Sequence, residues 1–385
     1  MRKLLAKVDI PLLLIMLLFI LLGLVMIYSA SSVSSVVRYG YAPYHFFIRQ
    51  AIFVTVALLV GFTLILRLPT RTYKALAWPL IIIIILSLIL LFIKGKVTNH
   101  AQSWFDFGFF SLQPSEFAKS ILIIFSAVFY DNLYNKKVKN IYTYLIPLGM
   151  CAIIAGLVIM QPDLGSAAII CGIAFLTFIS IPLVKNQLLK FIKILVVAFI
   201  IIVVLVIYSG NEILNSMQID RFTFQNPCSR YTETTGYQVC NGFIAINNGG
   251  LFGVGLGNST QKYLYLPESH TDFIFPIIVE ELGLIVGILV ILGYIFMLYR
   301  ILKIAKSSEN LRCSVLAYGT FWFLTLHILV NLLGILALIP LTGVPLPLLS
   351  YGGSFTVNII GMQFIVERVN IENKINKTKR EIKAL

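Results

Sequence analysis

Asp272 closes the stretch Leu266-Pro-Glu-Ser-His-Thr-Asp272, and a strongly apolar run follows it directly, carrying Glu280 and Glu281 two helical turns further on. A carboxylate taken into hydrocarbon costs about 2.5–3.5 kcal/mol on insertion scales. A chain keeps one there to face a polar cavity, to pair with a cation or to do chemistry. At the membrane surface beside His270 and Thr271, the Asp272 carboxylate could stay ionised yet shielded, which suits a general base. Capping the helix that starts after it is the competing role. Glu280 and Glu281 are adjacent, so they point about 100° apart and at most one can face a given cavity centre. A helix–helix hydrogen bond is their plainer use.

A second charged set opens another apolar run, Gln113-Pro-Ser-Glu116-Phe-Ala-Lys119. Pro114 suits a first helical turn. Glu116 and Lys119 are three apart and share a helix face, either as a self-neutralising ion pair or as a charged patch on a polar groove. Asp163, in Gln161-Pro-Asp-Leu-Gly165, reads first as an N-cap. Gly249 and Gly250 begin a glycine-rich run to Gly257 that has no strand before it, so the dinucleotide fingerprint does not apply. The run is either a tight re-entrant turn or a place of close backbone approach. Ser350-Tyr-Gly352-Gly353 could turn backbone N–H groups toward an anion. Trp104 could be an interface anchor or a stacking platform for a sugar. Four scattered histidines lack metal-ligand spacing, and no P-loop is present.

The elements that must hold these residues are membrane spans. The chain is 59% hydrophobic and 12% charged over 385 residues, with mean hydropathy +0.93; a soluble domain carries about 25% charged residues. Ten spans are predicted, over 10–30, 47–66, 75–93, 112–130, 141–160, 164–183, 188–208, 273–299, 313–338 and 353–367. The expected fold is all-α and polytopic, a single domain over 1–368 with a basic tail over 369–385. Met1-Arg-Lys followed by a full-length apolar run reads as a signal anchor. Of the 30 Lys and Arg, 22 fall on the side shared by both termini and seven on the other, with Lys119 inside a span. The termini are therefore expected in the cytoplasm. The charge of +14 follows from this topology and from anionic lipid; it calls for no nucleic acid. Two long loops, 94–111 and 209–271, fall on the outer side, the larger between the seventh and eighth spans. Cys228 and Cys240 share that larger loop, where a disulfide is one of two open possibilities.

The quoted segments, with Gly236-Tyr-Gln238, Ala245 through Gly257, Glu280-Glu281-Leu-Gly283, Asn331, and Pro340 through Ser354, run in order over nearly the whole chain. Together they resemble the SEDS family, the shape, elongation, division and sporulation proteins FtsW, RodA and SpoVE. Leu256 through Lys262 and Tyr265-Leu-Pro267 look closer to the FtsW and SpoVE branch. The resemblance implies a peptidoglycan glycosyltransferase in the bacterial plasma membrane, polymerising lipid II at the outer face for septal or spore wall. Lipid II is the undecaprenyl-pyrophosphate-linked disaccharide-pentapeptide. Implied partners are a class B penicillin-binding protein transpeptidase and divisome or elongasome proteins. Asp272 matches the essential aspartate, and Glu116 and Lys119 the charged pair of the central cavity. Candidate cavity or substrate-binding residues are Trp104, Gln161, Asp163, Gly249, Gly250, His270, Glu280, Glu281, Ser350, Gly352 and Gly353.

In that chemistry Asp272 would take the proton of the acceptor 4-hydroxyl, and pyrophosphate would leave with inversion at the anomeric carbon. Lys119, Arg221 or a divalent cation (Mg or Mn) bound with the pyrophosphate could balance the leaving charge. No other cofactor is indicated. Ala101-Gln-Ser-Trp104 lacks the glycine and arginine the family often has there, and Pro276 is expected to bend the eighth span. A lipid-linked precursor flippase and a non-catalytic division scaffold are the alternatives. A flippase needs polar residues reachable from both faces, whereas here they cluster on one.

Overall fold

The computed structural model describes residues 6–98, 101–108, 110–138, 140–182, 193, 224–232 and 234–384. Apart from residue 193, the expected seventh span lies outside the described residues, as does Arg221. Among the described residues ten α-helices follow in order: α1 Ile10–Val37, α2 His45–Val60, α3 Tyr73–Lys94, α4 Pro114–Asn135, α5 Ile146–Ile159, α6 Leu164–Ile179, α7 Thr234–Gly249, α8 Ile274–Lys306, α9 Leu311–Ile335 and α10 Gly353–Ala384. Their starts follow the local sequence. Asp9 caps α1 by accepting from Leu12 N at 3.1 Å, Asp163 caps α6 through Ser166 N at 3.0 Å, and Asn310 caps α9 through Arg312 N at 3.0 Å; each side chain satisfies a donor the helix start leaves open.

Seven helices among the described residues are long and apolar enough to cross a membrane, and apolar α6 is shorter. The protein is therefore a multi-pass helical membrane protein. α4 has the lowest hydropathy of the seven, 1.2, and the largest buried share, 67%. A span that carries charge can be tolerated when neighbours shield it from lipid. α3, α9 and α6 pack around it, α10 packs on α2, and α1 packs on α2 and α8.

The structure departs from the all-helical expectation in the loop after α3. There three short antiparallel strands, β1 Lys96–Thr98, β2 Ala101–Asp106 and β3 Ser111–Leu112, form a small sheet. Trp104 pairs with Lys96, and Phe105 with Leu112. Pairing satisfies backbone groups that an irregular loop would leave open. A second departure is at α8. Its break falls at Gly283 (φ 89°, ψ 164°) rather than at Pro276; Pro276 sits in the first turn, where it costs no helical hydrogen bond. Third, the residues after 368 continue α10. Glu372 accepts from Thr70 N at 2.7 Å and Asn370 donates to Lys7 O at 3.1 Å, so the first turns of the expected tail are docked. Finally, Cys228 and Cys240 are bridged, tying the turn before α7 to that helix.

Candidate active site in the outer-loop cavity

The loops that the charge pattern assigns to the outer side converge on one cavity of about 510 Å³. Its walls come from the start of α2 (Arg49, Phe53), the sheet (Ser103, Trp104, Asp106), the start of α4 (Gln113, Glu116), the α5–α6 turn (Pro162, Asp163), Thr271 before α8, and the α9–α10 connection from Thr342 to Phe355. Of the residues singled out from sequence, Trp104, Glu116, Asp163, Gly352 and Gly353 line it.

Asp272 lies directly behind this cavity, next to two of its lining residues. Its side chain is largely buried, with the residue 8% exposed. Its neighbour Thr271 lines the cavity. A Cβ added to Gly343, another lining residue, would stand 3.7 Å from Asp272 Oδ2. Thr271 Oγ1 donates to Oδ1 at 3.1 Å. From α9, Asn331 donates to the Asp272 carbonyl and to Val344 O, each at 2.8 Å. That one amide side chain ties the two segments flanking the carboxylate.

Glu116 and Lys119 are paired at 2.7 Å and almost fully buried. Lys119 Nζ also stands 3.2 Å from His327 Nε2 and over the Phe323 ring. Two groups thus hold the ammonium on its inner side. Glu116 uses only one oxygen: its buried Oε2 has no hydrogen-bond partner among the described residues, and the residue lines the cavity. A buried carboxylate oxygen without a donor is costly, and a bound hydroxyl, amide or cation would relieve that cost. Asp163 lines the same space with Oδ2 accepting from Gln113 Nε2 at 3.2 Å. It therefore caps a helix and faces the cavity at once.

The other expected residues lie elsewhere or serve the fold. Gln161 is buried and donates to Leu88 O at 3.0 Å. Ser350 Oγ accepts from Leu346 N at 2.8 Å, a staple within its own turn. Gly352 N donates to Gln50 Oε1 at 3.2 Å, so that N–H is not open to an anion. His270 lines a different pocket of about 430 Å³ with Ser34, Arg38 and Glu268. Its ring packs on Phe46 and Tyr351 at 4.6 and 5.7 Å, and Tyr351 lines the main cavity. Burial pulls the His270 pKa down to about 4, with Glu268 opposing and Arg38 assisting. Burial pushes the Tyr351 phenol up while Arg49 pulls it back.

Gly249, Gly250, Glu280 and Glu281 form a clasp on α8. A Cβ on Gly249 would meet Val279 O at 2.1 Å, so α7 and α8 touch backbone to backbone. Glu281 accepts from Lys262 Nζ at 3.0 Å and from Ser29 Oγ at 2.6 Å. Glu280 accepts from Ser259 Oγ, from Thr260 N and Oγ1, and from Asn248 Nδ2. For this pair the structural alternative wins.

Sequence reading passed over Arg49, His327 and Tyr351. Only seven of the 30 basic residues fall on the outer side, and that scarcity was a usable signal for Arg49. His327 lies inside a span, where any ionisable group is a functional candidate. Tyr351 carried no signal of its own, since only the chain path brings it to Arg49.

An open cavity at one end of a shielded helical bundle, lined by Asp163 and by Glu116 of a buried ion pair, marks a membrane protein built to take a ligand at that end. The sequence profile of FtsW, RodA and SpoVE, described as "Cell cycle protein", matches residues 10–375. The "Probable peptidoglycan glycosyltransferase FtsW" of Bacillus subtilis is 36% identical over 394 residues, covering 100% of this chain and 96% of that protein. Stage V sporulation protein E of Bacillus subtilis is 35% identical over 353 residues, covering 90% and 92%. The crystal structure of the Thermus thermophilus rod shape determining protein RodA superposes with TM-score 0.66 at 26% identity, covering 94% and 96%. A chain of a peptidoglycan synthase complex that coordinates polymerization and crosslinking gives TM-score 0.74 at 24% identity, covering 95% and 98%; at that identity it speaks for the fold alone. The chain belongs to the FtsW, RodA and SpoVE family.

Proposed function

We propose that this chain is a peptidoglycan glycosyltransferase that polymerises lipid II into β-1,4 glycan strands at the outer face of the plasma membrane, for septal or spore wall. Relatives at 35–36% identity over nine-tenths or more of the chain carry the glycosyltransferase FtsW and sporulation names. In this reading the chain crosses the membrane ten times, both termini are cytoplasmic and the cavity opens outward. The strongly basic end of the bundle supports that orientation.

One observation carries the reading: the Asp272 carboxylate lies beside Thr271 and Gly343, which line the same cavity as Glu116, and Glu116 has one oxygen without a partner among the described residues. Asp272 removes the proton of the acceptor 4-hydroxyl as that oxygen attacks the anomeric carbon of the donor. The sugar–phosphate bond breaks with inversion, and pyrophosphate leaves carrying the electron pair. Pyrophosphate needs no strong acid to depart, so one base suffices. Glu116 Oε2 accepts a hydrogen bond from the bound sugar or peptide, and Trp104 offers it a face to stack on. Lys119 and Arg221 are the basic side chains proposed to balance the leaving charge. Among the described residues no three His, Cys, Asp or Glu side chains converge on one point. A divalent cation bound with the substrate pyrophosphate would help to balance its charge. A class B penicillin-binding protein supplies crosslinking, in line with the synthase complex whose chain shares the fold.

The test is purified protein with lipid II, with glycan length read on a gel. Asp272→Asn is expected to lower polymer formation by at least about 100-fold, the scale of a general base, while keeping the parent elution profile. Glycan made at the parent rate by that variant sinks the assignment. Lipid II moved across vesicles without polymerisation would instead support a flippase.

A further inference from the structure

Gly283 divides α8 into two parts, and Asp272 precedes the shorter one. The backbone groups freed at the break are taken up by the glycine-rich segment after α7. Val254 N donates to Glu280 O at 2.9 Å, and Gly255 N to Glu281 O at 3.0 Å. On the far side of the break, Leu284 N donates to Gly250 O at 2.9 Å and Ile285 N to Leu251 O at 3.3 Å. A Cβ on Gly283 would meet Leu251 O at 2.3 Å, and one on Gly253 would meet Glu281 O at 2.3 Å. A broken helix inside a membrane protein is tolerated only where such groups find new partners.

The side chains just before the break then hold the chain that leads to Asp272. Lys262 Nζ reaches Glu281 Oε1 at 3.0 Å, Gly257 O at 2.5 Å and Ser29 Oγ at 3.1 Å. Residues 262–281 therefore form a ring of chain closed by an ion pair, and Asp272 lies at its midpoint. Both partners are buried. The ring is fastened to α1 at two points, Ser29 on Glu281 and Ser269 Oγ on Ala30 O at 3.0 Å. It is fastened to α9 through Asn331 on the Asp272 carbonyl at 2.8 Å. Without the closure, the segment would keep its ties at Glu280, Ala30 and Asn331 and lose the one that pins residue 262 itself to α8 and α1.

We infer that Lys262 and Glu281 are positioning residues for the Asp272 carboxylate: their ion pair closes the ring that sets where the base stands against the cavity. The inference rests on the reading of Asp272 as the base. Neither residue lines the main cavity, so the pair acts on turnover rather than on substrate capture. A misplacement of about 1 Å in a reacting group can cost on the order of 100-fold in rate.

The experiment measures kcat and KM for lipid II polymerisation in folded, monodisperse protein. The variants are Lys262→Met, the isosteric Glu281→Gln, and the reversed pair Lys262→Glu with Glu281→Lys. Each single variant is expected to lose ~10- to 100-fold in kcat, with KM within about twofold of the parent. The reversed pair is expected to recover at least tenfold of that loss. A kcat within twofold of the parent in both single variants overturns the inference, as does a loss carried by KM alone. A reversed pair as slow as the singles also overturns it, because the effect then belongs to one side chain and not to the closure. Failure of the base reading looks different, since Asp272→Asn would then remain active. An inactive Asp272→Asn beside fully active Lys262→Met and Glu281→Gln condemns the ring alone.

Discussion

Two regions of this molecule carry the same signal in sequence, acidic residues inside apolar helices, and put it to opposite use. Glu280 and Glu281 are surrounded by donors: Lys262, Ser29, Ser259, Thr260, Asn248 and backbone N–H groups. Glu116 has Lys119 on one oxygen and nothing among the described residues on the other. Full satisfaction makes a fastening; partial satisfaction leaves a buried acceptor on a residue that lines a cavity. Buried polar groups in native proteins are nearly always paired; Glu116 is the one carboxylate lining the cavity that leaves a buried oxygen without a partner among the described residues. The number of donors that converge on a membrane carboxylate separates the two roles, and the carboxylate itself does not.

The contrast can be broken by substitution. Glu281→Ala strands the Lys262 ammonium in a buried position, and losing one member of a buried pair costs about 3–5 kcal/mol. The thermal midpoint in detergent should drop sharply; an unchanged midpoint would remove the clasp from the account. Glu116→Gln keeps size and a hydrogen-bonding oxygen but removes the charge that balances Lys119. Polymerisation should fall by roughly 100-fold, about 2.7 kcal/mol of barrier, and the midpoint should fall too, because buried Lys119 loses its counter-charge. Polymerisation at the parent rate would erase the distinction.

His270 lies between the regions, on the ring that leads to Asp272. Its pKa in the fold is about 4 against the ordinary 6.5, so on acidification the unfolded chain takes up the proton first. Its contribution to stability is complete above pH 6.5 and is lost as pH falls toward 4. The parent midpoint should decline across that window, and His270→Phe should flatten the decline; equal slopes would refute it. The smallest effect is expected at the exposed pair of Arg380 with Glu309, whose side chains are 68% and 48% accessible. Removing it with Glu309→Gln should change stability by no more than about 1 kcal/mol.

Helices, caps and the sidedness of charge were legible because they depend on neighbours along the chain. The apolar runs, Asp163 at a helix start, and the cluster of Lys and Arg on one side all follow from local pattern. So did the candidacy of Asp272, Glu116 and Lys119, since a charge in an apolar run is anomalous wherever the run ends up. The small sheet was not legible, because its strands are two to six residues long and owe their form to pairing. The break at Gly283 was equally hidden. A glycine within an apolar helix looks harmless until another backbone, here residues 250–255, supplies hydrogen bonds that make the break stable.

Sequence by itself determined a charge-poor, multi-pass helical protein with its polar residues gathered toward one side, because hydrocarbon punishes charge and open backbone wherever they occur. Only tertiary structure decided which carboxylates face space and which are bound. That choice depends on donors brought from α1, α9 and the loops, tens to hundreds of residues away, and no local pattern records their arrival. The same distance effect joined His327 to Lys119 and Asn331 to Asp272.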